Sequence, residues 1–71
     1  MKTSEITGEF IKLNQWLKKE NLASTGGEAK FMVEEGRILL NGETVTEVRK
    51  KLRHDDTVSV DGETYRIQVV D

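Results

Sequence analysis

The chain has no cysteine and no proline, and its 71 residues include one Trp, one Tyr and two Phe. Without thiols there is neither a disulfide framework nor a thiolate metal site, so packing and hydrogen bonds must hold the fold together, as suits a reducing cytoplasm. So few aromatics leave little for a platform that stacks successive single-stranded bases. No apolar run approaches the ~20 residues of a membrane-crossing helix, and the first residues lack the apolar core of a signal peptide. There is also no low-complexity tract, linker or internal repeat. The expectation is one small cytoplasmic domain over residues 1–71, monomeric and away from membranes. It lies near the lower size limit for a purely hydrophobic core and is too small for a deep catalytic cleft.

The net charge is −2, which by itself argues against a nucleic-acid partner. Its distribution argues otherwise. Residues 1–36 hold five basic and six acidic groups, residues 37–54 five and two, and residues 55–71 one and five. The middle of the chain is a basic island between acidic flanks. Because exposed charges are screened over roughly 8 Å at physiological salt, a partner responds to the local patch more than to the sum.

Phe10, Leu13, Trp16 and Leu17 recur at three- and four-residue spacing, which predicts a first helix from Phe10 to about Asn21. Residues 1–9 are a frayed terminus or a short edge strand. Thr25 with Glu28 has the form of a capping box opening a second helix, with Ala29, Met32 and Val33 on its apolar face and Gly36 closing it. Asn41-Gly42 after the apolar Ile38-Leu39-Leu40 predicts a type I′ hairpin returning along Thr44–Val48. Thr57–Val60 alternates, Asp61-Gly62 gives another tight turn, and Tyr65, Ile67 and Val69 alternate again. The predicted fold is α+β: two packed N-terminal helices against a small, mainly antiparallel sheet of about four short strands. The expected core is Leu13, Leu17, Ala29, Met32, Val33, Leu40, Leu52, Val58 and Ile67, with Trp16 and Tyr65 also read as core.

These elements carry a recognisable spelling. Lys12-Leu13-Asn14-x-x-Leu17 is followed by Thr25-Gly26-Gly27-Glu28-Ala29-Lys30, then Gly36-Arg37-Ile38-Leu39-Leu40-Asn41-Gly42, and then Leu52-x-x-x-Asp56-x-Val58. The pattern resembles the RNA-binding domain named after small-subunit ribosomal protein S-four, over a family-like core of residues 12–60, and most of all its short stand-alone YaaA/YbcJ-type branch. The resemblance implies an RNA-facing surface that includes Lys12, the Gly26-Gly27 turn, Lys30 and the basic run. Gly26 stands where the wider family usually has an Arg, Asn14 where it has an Asp, and Asp55 where it has a Gly. It also implies structured RNA, ribosomal RNA or a ribosome-assembly intermediate as partner.

Arg49-Lys50-Lys51-Leu52-Arg53 sets four cations around one apolar residue. Short charge runs are commonly solvated loops, yet here Leu52 offers an anchor and no acid interrupts the run, so we favour a phosphate-gripping ribbon. Gly26-Gly27 has two readings side by side: backbone amides at a helix start open to a phosphate, or glycines that only permit a tight turn. Lys12, Lys30 and Arg37 extend the candidate surface. His54-Asp55-Asp56 falls in a predicted turn where its side chains diverge rather than converge, and no nucleophile, phosphate-loop or zinc motif is present. The expectation is a non-catalytic RNA binder without cofactor. The rivals are a protein-interaction module using the acidic tail or an exposed sheet edge, and a duplex DNA binder. Glu28, Glu34 and Glu35 suit the second helix poorly to a major groove.

Overall fold

Apolar alternation in the last third of the chain builds the centre of the main sheet. In the computed structural model, which describes residues 1–70, strands β6 (Thr57–Val60) and β7 (Glu63–Val69) form an antiparallel hairpin. Val58, Val60, Tyr65 and Ile67 turn inward, and the intervening Thr57, Ser59, Thr64 and Arg66 turn outward. The Asp61-Gly62 turn has φ of 50° and 89°, as a type I′ turn requires. Strand β3 (Ile38–Leu40) pairs antiparallel with β6, and β4 (Glu43–Thr44) folds back on β3 through Asn41-Gly42, with φ of 51° and 87°. On the far side β1 (Lys2–Ile6) runs parallel to β7, giving the order β1-β7-β6-β3-β4. A separate two-stranded ribbon joins β2 (Phe10–Lys12) to β5 (Lys51–Arg53).

The helices are α1 (Leu13–Lys19) and α2 (Gly26–Glu34). Leu13, Trp16 and Leu17 of α1 and Ala29, Met32 and Val33 of α2 are buried, so both helices turn their apolar stripe to one core. Gly36 ends α2 at φ 70°, the left-handed closure its position predicted. The expected core is buried except for Leu40, which is half-buried at its edge, and it also takes in Ile6, Ile38, Val45 and Val60.

Four features differ from the sequence reading. The helices are not N-terminal: two strands precede them. The described residues form seven strands in two sheets rather than about four. Phe10 and Lys12 belong to β2, so α1 begins at Leu13; three residues fit helical and alternating patterns equally, and pairing with β5 decides for a strand. The strand expected over Thr44–Val48 stops at Thr44, where the chain leaves the sheet and Val45 turns into the core.

Trp16, fully buried, stacks edge-on against Tyr65 with ring centroids 5.1 Å apart. Its indole Nε1 donates to Ser4 Oγ at 2.9 Å, and Ser4 Oγ donates to Glu20 Oε2 at 2.8 Å. The chain thus fastens β1 to α1 through a buried polar contact that leaves the indole satisfied. Burial pushes the Glu20 carboxyl up, but the Ser4 hydrogen bond and the charges of Lys19 and Lys2 outweigh it and hold the group below its ordinary value of 4.5.

Two outcomes follow for stability. Ser4→Ala leaves the indole N–H unpaired in the core and should destabilise by ~1 to 3 kcal/mol, which denaturant unfolding measures. Because the folded-state pKa of Glu20 is depressed, its contribution is present above the unfolded carboxylate value and is lost as pH falls through the folded one. The melting temperature of the wild type should therefore drop more steeply below pH 4.5 than that of Glu20→Gln.

Candidate nucleic-acid interface

Leu52 is fully buried, and Ile11 opposite it packs on the core. Alternation then forces Phe10, Lys12, Lys51 and Arg53 onto the other face of the β2–β5 ribbon. Register pairs Phe10 with Arg53 and Lys12 with Lys51, so the two lysines stand directly opposite each other, with Cβ atoms about 4.5 to 5.5 Å apart in such a pair. Directly opposed like charges destabilise a sheet. The Lys51 Nζ lies 4.7 Å and the Arg53 Cζ 5.8 Å from the Phe10 ring centroid.

Both ends of the basic segment are fixed. The first amides of α1 donate to it, Leu13 N to Lys50 O at 2.8 Å and Asn14 N to Val48 O at 3.0 Å. At the other end Arg53 N donates to Asp56 Oδ2 at 2.8 Å, and Asp56 Oδ1 accepts from Asn41 Nδ2 at 3.0 Å. Asn41 Oδ1 in turn accepts from Thr57 N at 2.9 Å. The hairpin turn, the ribbon exit and the start of β6 are therefore bonded together through Asp56 and Asn41. Asn14 Oδ1 is buried with no hydrogen-bond partner among the described residues.

Several cations elsewhere are met by acids. Lys2 pairs with Glu63, Lys19 with Glu20, and Arg66 with Asp55. Among the described residues Lys12, Lys30, Arg49, Lys50, Lys51 and Arg53 have no acidic partner. Arg37 differs from these other candidates. Its Nε and Nη2 donate to the two carboxylate oxygens of Asp61 at 2.8 and 2.6 Å, so its charge is answered within the protein. The same hydrogen bonds hold the Asp61 carboxyl below its ordinary value.

At α2, Thr25 is the N-cap and its Oγ1 accepts from Glu28 N at 3.1 Å, while the Glu28 carboxylate accepts from Ser24 N. The capping box is thus present, with its return bond one residue earlier than the usual form. The amides of Gly26 and Gly27 have no acceptor among the described residues. Neither glycine has positive φ, and a Cβ built at Gly26 meets nothing within 4 Å. The left-handed residue of the inter-helix turn is Asn21, at φ 60°, so the turn does not need glycine at position 26. Lys30 is exposed on α2, beside the exposed Phe31 and with Glu28, Glu34 and Glu35 on the same helix's solvent side.

The His54 cluster diverges only in part, a correction to the sequence reading: His54 Nε2 and Asp55 Oδ1 stay 3.5 Å apart, while Asp56 bonds elsewhere. His54 Nδ1 accepts from Val69 N, Asp55 takes Arg66, and Asp56 takes Arg53 N and Asn41. Among the described residues no three His, Asp or Glu side chains converge as metal ligands, and no helix is long and apolar enough to cross a membrane. Phe10 is the site residue that sequence reasoning missed, since its helical spacing with Leu13 and Leu17 hid the alternation of Phe10, Ile11 and Lys12.

A family model of the S4 domain matches residues 4–68, extending the 12–60 core in both directions. The chain is 35% identical over 57 residues to the "Probable ribosome maturation protein RlbA" of Bacillus subtilis (strain 168), covering 80% of each protein. In fold it is similar to the 30S ribosomal protein S4e of Thermoplasma acidophilum, with a TM-score of 0.62 and 22% identity. That match covers 83% of this chain and 31% of the ribosomal protein.

Ordinary helical dihedrals and open space at Gly26 predict that Gly26→Ala leaves the fold intact and stabilises it by ~0.4 to 1 kcal/mol, through the entropy of the unfolded chain. Thermal or denaturant melts measure this. A loss of stability would mean that the turn is strained at this residue after all.

Proposed function

The chain belongs to the S4 domain family, and from that premise we propose that it binds structured RNA without catalysing a reaction, ribosomal RNA or a ribosome-assembly intermediate being the target. One observation carries the reading: Lys12 and Lys51 oppose each other on the outward face of the ribbon, with Arg53 alongside, and no carboxylate among the described residues answers them. A surface that keeps directly opposed cations gives up stability and gains a place where a phosphodiester backbone relieves the repulsion. Arg49 and Lys50 extend it along the chain. The Gly26 and Gly27 amides and Lys30 form a second contact, and Arg37, already paired with Asp61, contributes least. Trp16 and Tyr65 are locked in the core, which favours recognition by shape and backbone over reading of unstacked bases. The name of the Bacillus relative supports a ribosome-linked role. The protein works in the cytoplasm as a monomer and needs no cofactor.

The test is titration of structured ribosomal RNA fragments across a salt series. Each phosphate neutralised contributes roughly 0.7 to 0.9 to the log–log salt slope. Lys12→Gln and Lys51→Gln should each weaken binding and lower the slope by about that amount. Lys12→Gln should also raise the stability of the free protein, by ~0.2 to 1 kcal/mol, because the opposed charges no longer repel; in Lys51→Gln the lost contact with the Phe10 ring offsets that gain. Affinity and stability moving in opposite directions in Lys12→Gln is the signature sought. A wild-type protein that binds no better than one lacking all the ribbon cations would overturn the reading.

A further inference from the structure

Two ways of holding a cation occur in this protein, and they differ in what they leave available. Asp61 grips the Arg37 guanidinium through two hydrogen bonds, fixing the side chain and cancelling its charge. Phe10 meets Lys51 and Arg53 instead, at 4.7 and 5.8 Å from its ring centroid. An aromatic face attracts a cation through its quadrupole while carrying no net charge. The ring therefore restrains two long side chains and leaves both positive charges free to act outward.

The geometry comes from the ribbon register. Phe10 lies directly across from Arg53 and diagonally from Lys51, on the face opposite the buried Leu52 and the half-buried Ile11. Lys51 and Arg53 share that face as next-but-one neighbours, so they repel each other and Lys12 as well. Left to themselves, such side chains sample many rotamers and must be ordered each time a phosphate is bound, which weakens association. One half-buried ring touching both removes part of that disorder in advance.

Resting on the RNA-binding reading above, we infer that Phe10 is a positioning residue of the RNA grip, holding Lys51 and Arg53 as a preformed pair for adjacent phosphates of the RNA backbone. The ring does not stack on a base, since the Lys51 ammonium stands over its face. Its effect runs through the two cations.

The experiment is a mutant cycle read by affinity for one structured RNA, by salt slope and by melting temperature. Phe10→Leu keeps an apolar side chain at the rung but loses the quadrupole, and should weaken binding roughly 3- to 10-fold with the salt slope retained, because the same cations still reach phosphates. Phe10→Trp, the better cation-binding ring, should bind as tightly as the wild type or tighter. In a background carrying Lys51→Gln and Arg53→Gln, Phe10→Leu should have no further effect on affinity. Undiminished binding by Phe10→Leu, or an equal loss with and without the two cations, would overturn the positioning role while leaving wild-type RNA binding in place. Absence of RNA binding by the wild type itself would instead defeat the underlying reading, and the positioning role with it.

Discussion

Burial of Leu52 is the constraint on which the cationic surface depends. A strand has a side-chain period of two, so placing Leu52 in the core requires Lys51 and Arg53 to face away from it, and pairing with Ile11 requires the same of Phe10 and Lys12. A slip of one residue would drive two cations into an apolar interior with no partner there, which is prohibitive. The three-residue pairing is short, but it is held by more than its own ladder. The first amides of α1 bond to Lys50 and Val48, and Asp56 bonds to the amide of Arg53. Register, helix start and turn therefore specify one another.

An acidic protein with a cationic face is an arrangement, not a contradiction. The carboxylates of Glu63, Glu20, Asp61 and Asp55 are placed against Lys2, Lys19, Arg37 and Arg66. Those pairs are largely exposed and worth little in stability, yet each answers a cation outside the ribbon, so the ribbon cations stay unpaired among the described residues. Asn41 makes a comparable economy in the backbone: one residue supplies the positive φ of a hairpin and both side-chain bonds that tie that hairpin to Asp56 and Thr57.

What was legible in the sequence was local. The cap at Thr25, the end of α2 at Gly36, both type I′ turns, the β6–β7 hairpin and the inward Leu52 follow from neighbours a few residues apart, and the structure has each of them. The β2–β5 ribbon was not legible. Each strand is three residues long, too short for periodicity to declare itself, and each is a strand only because the other exists about 40 residues away. Phe10 was assigned to α1 for that reason. Arg37 looked like the other basic candidates because nothing near it in sequence indicates Asp61, which meets it 24 residues later. The glycines at the start of α2 were ambiguous because sequence does not distinguish a glycine chosen for dihedral freedom from one chosen for smallness, and the dihedrals remove the first explanation.

The parallel pairing of β1 with β7 sets an order of assembly. Lys2 lies beside Tyr65, so the first of the described strands has the last as its neighbour. At a synthesis rate of about 5 to 20 residues per second, β1 emerges some seconds, roughly 3 to 13, before the strand that receives it. During that interval the Trp16 indole has no Ser4 hydroxyl positioned to accept its hydrogen bond, because Ser4 is brought to α1 by the closed sheet. The ribbon is separated by a shorter stretch of chain, with Lys12 beside Lys51. Closing the ribbon therefore costs slightly less chain entropy than closing the β1 edge of the main sheet.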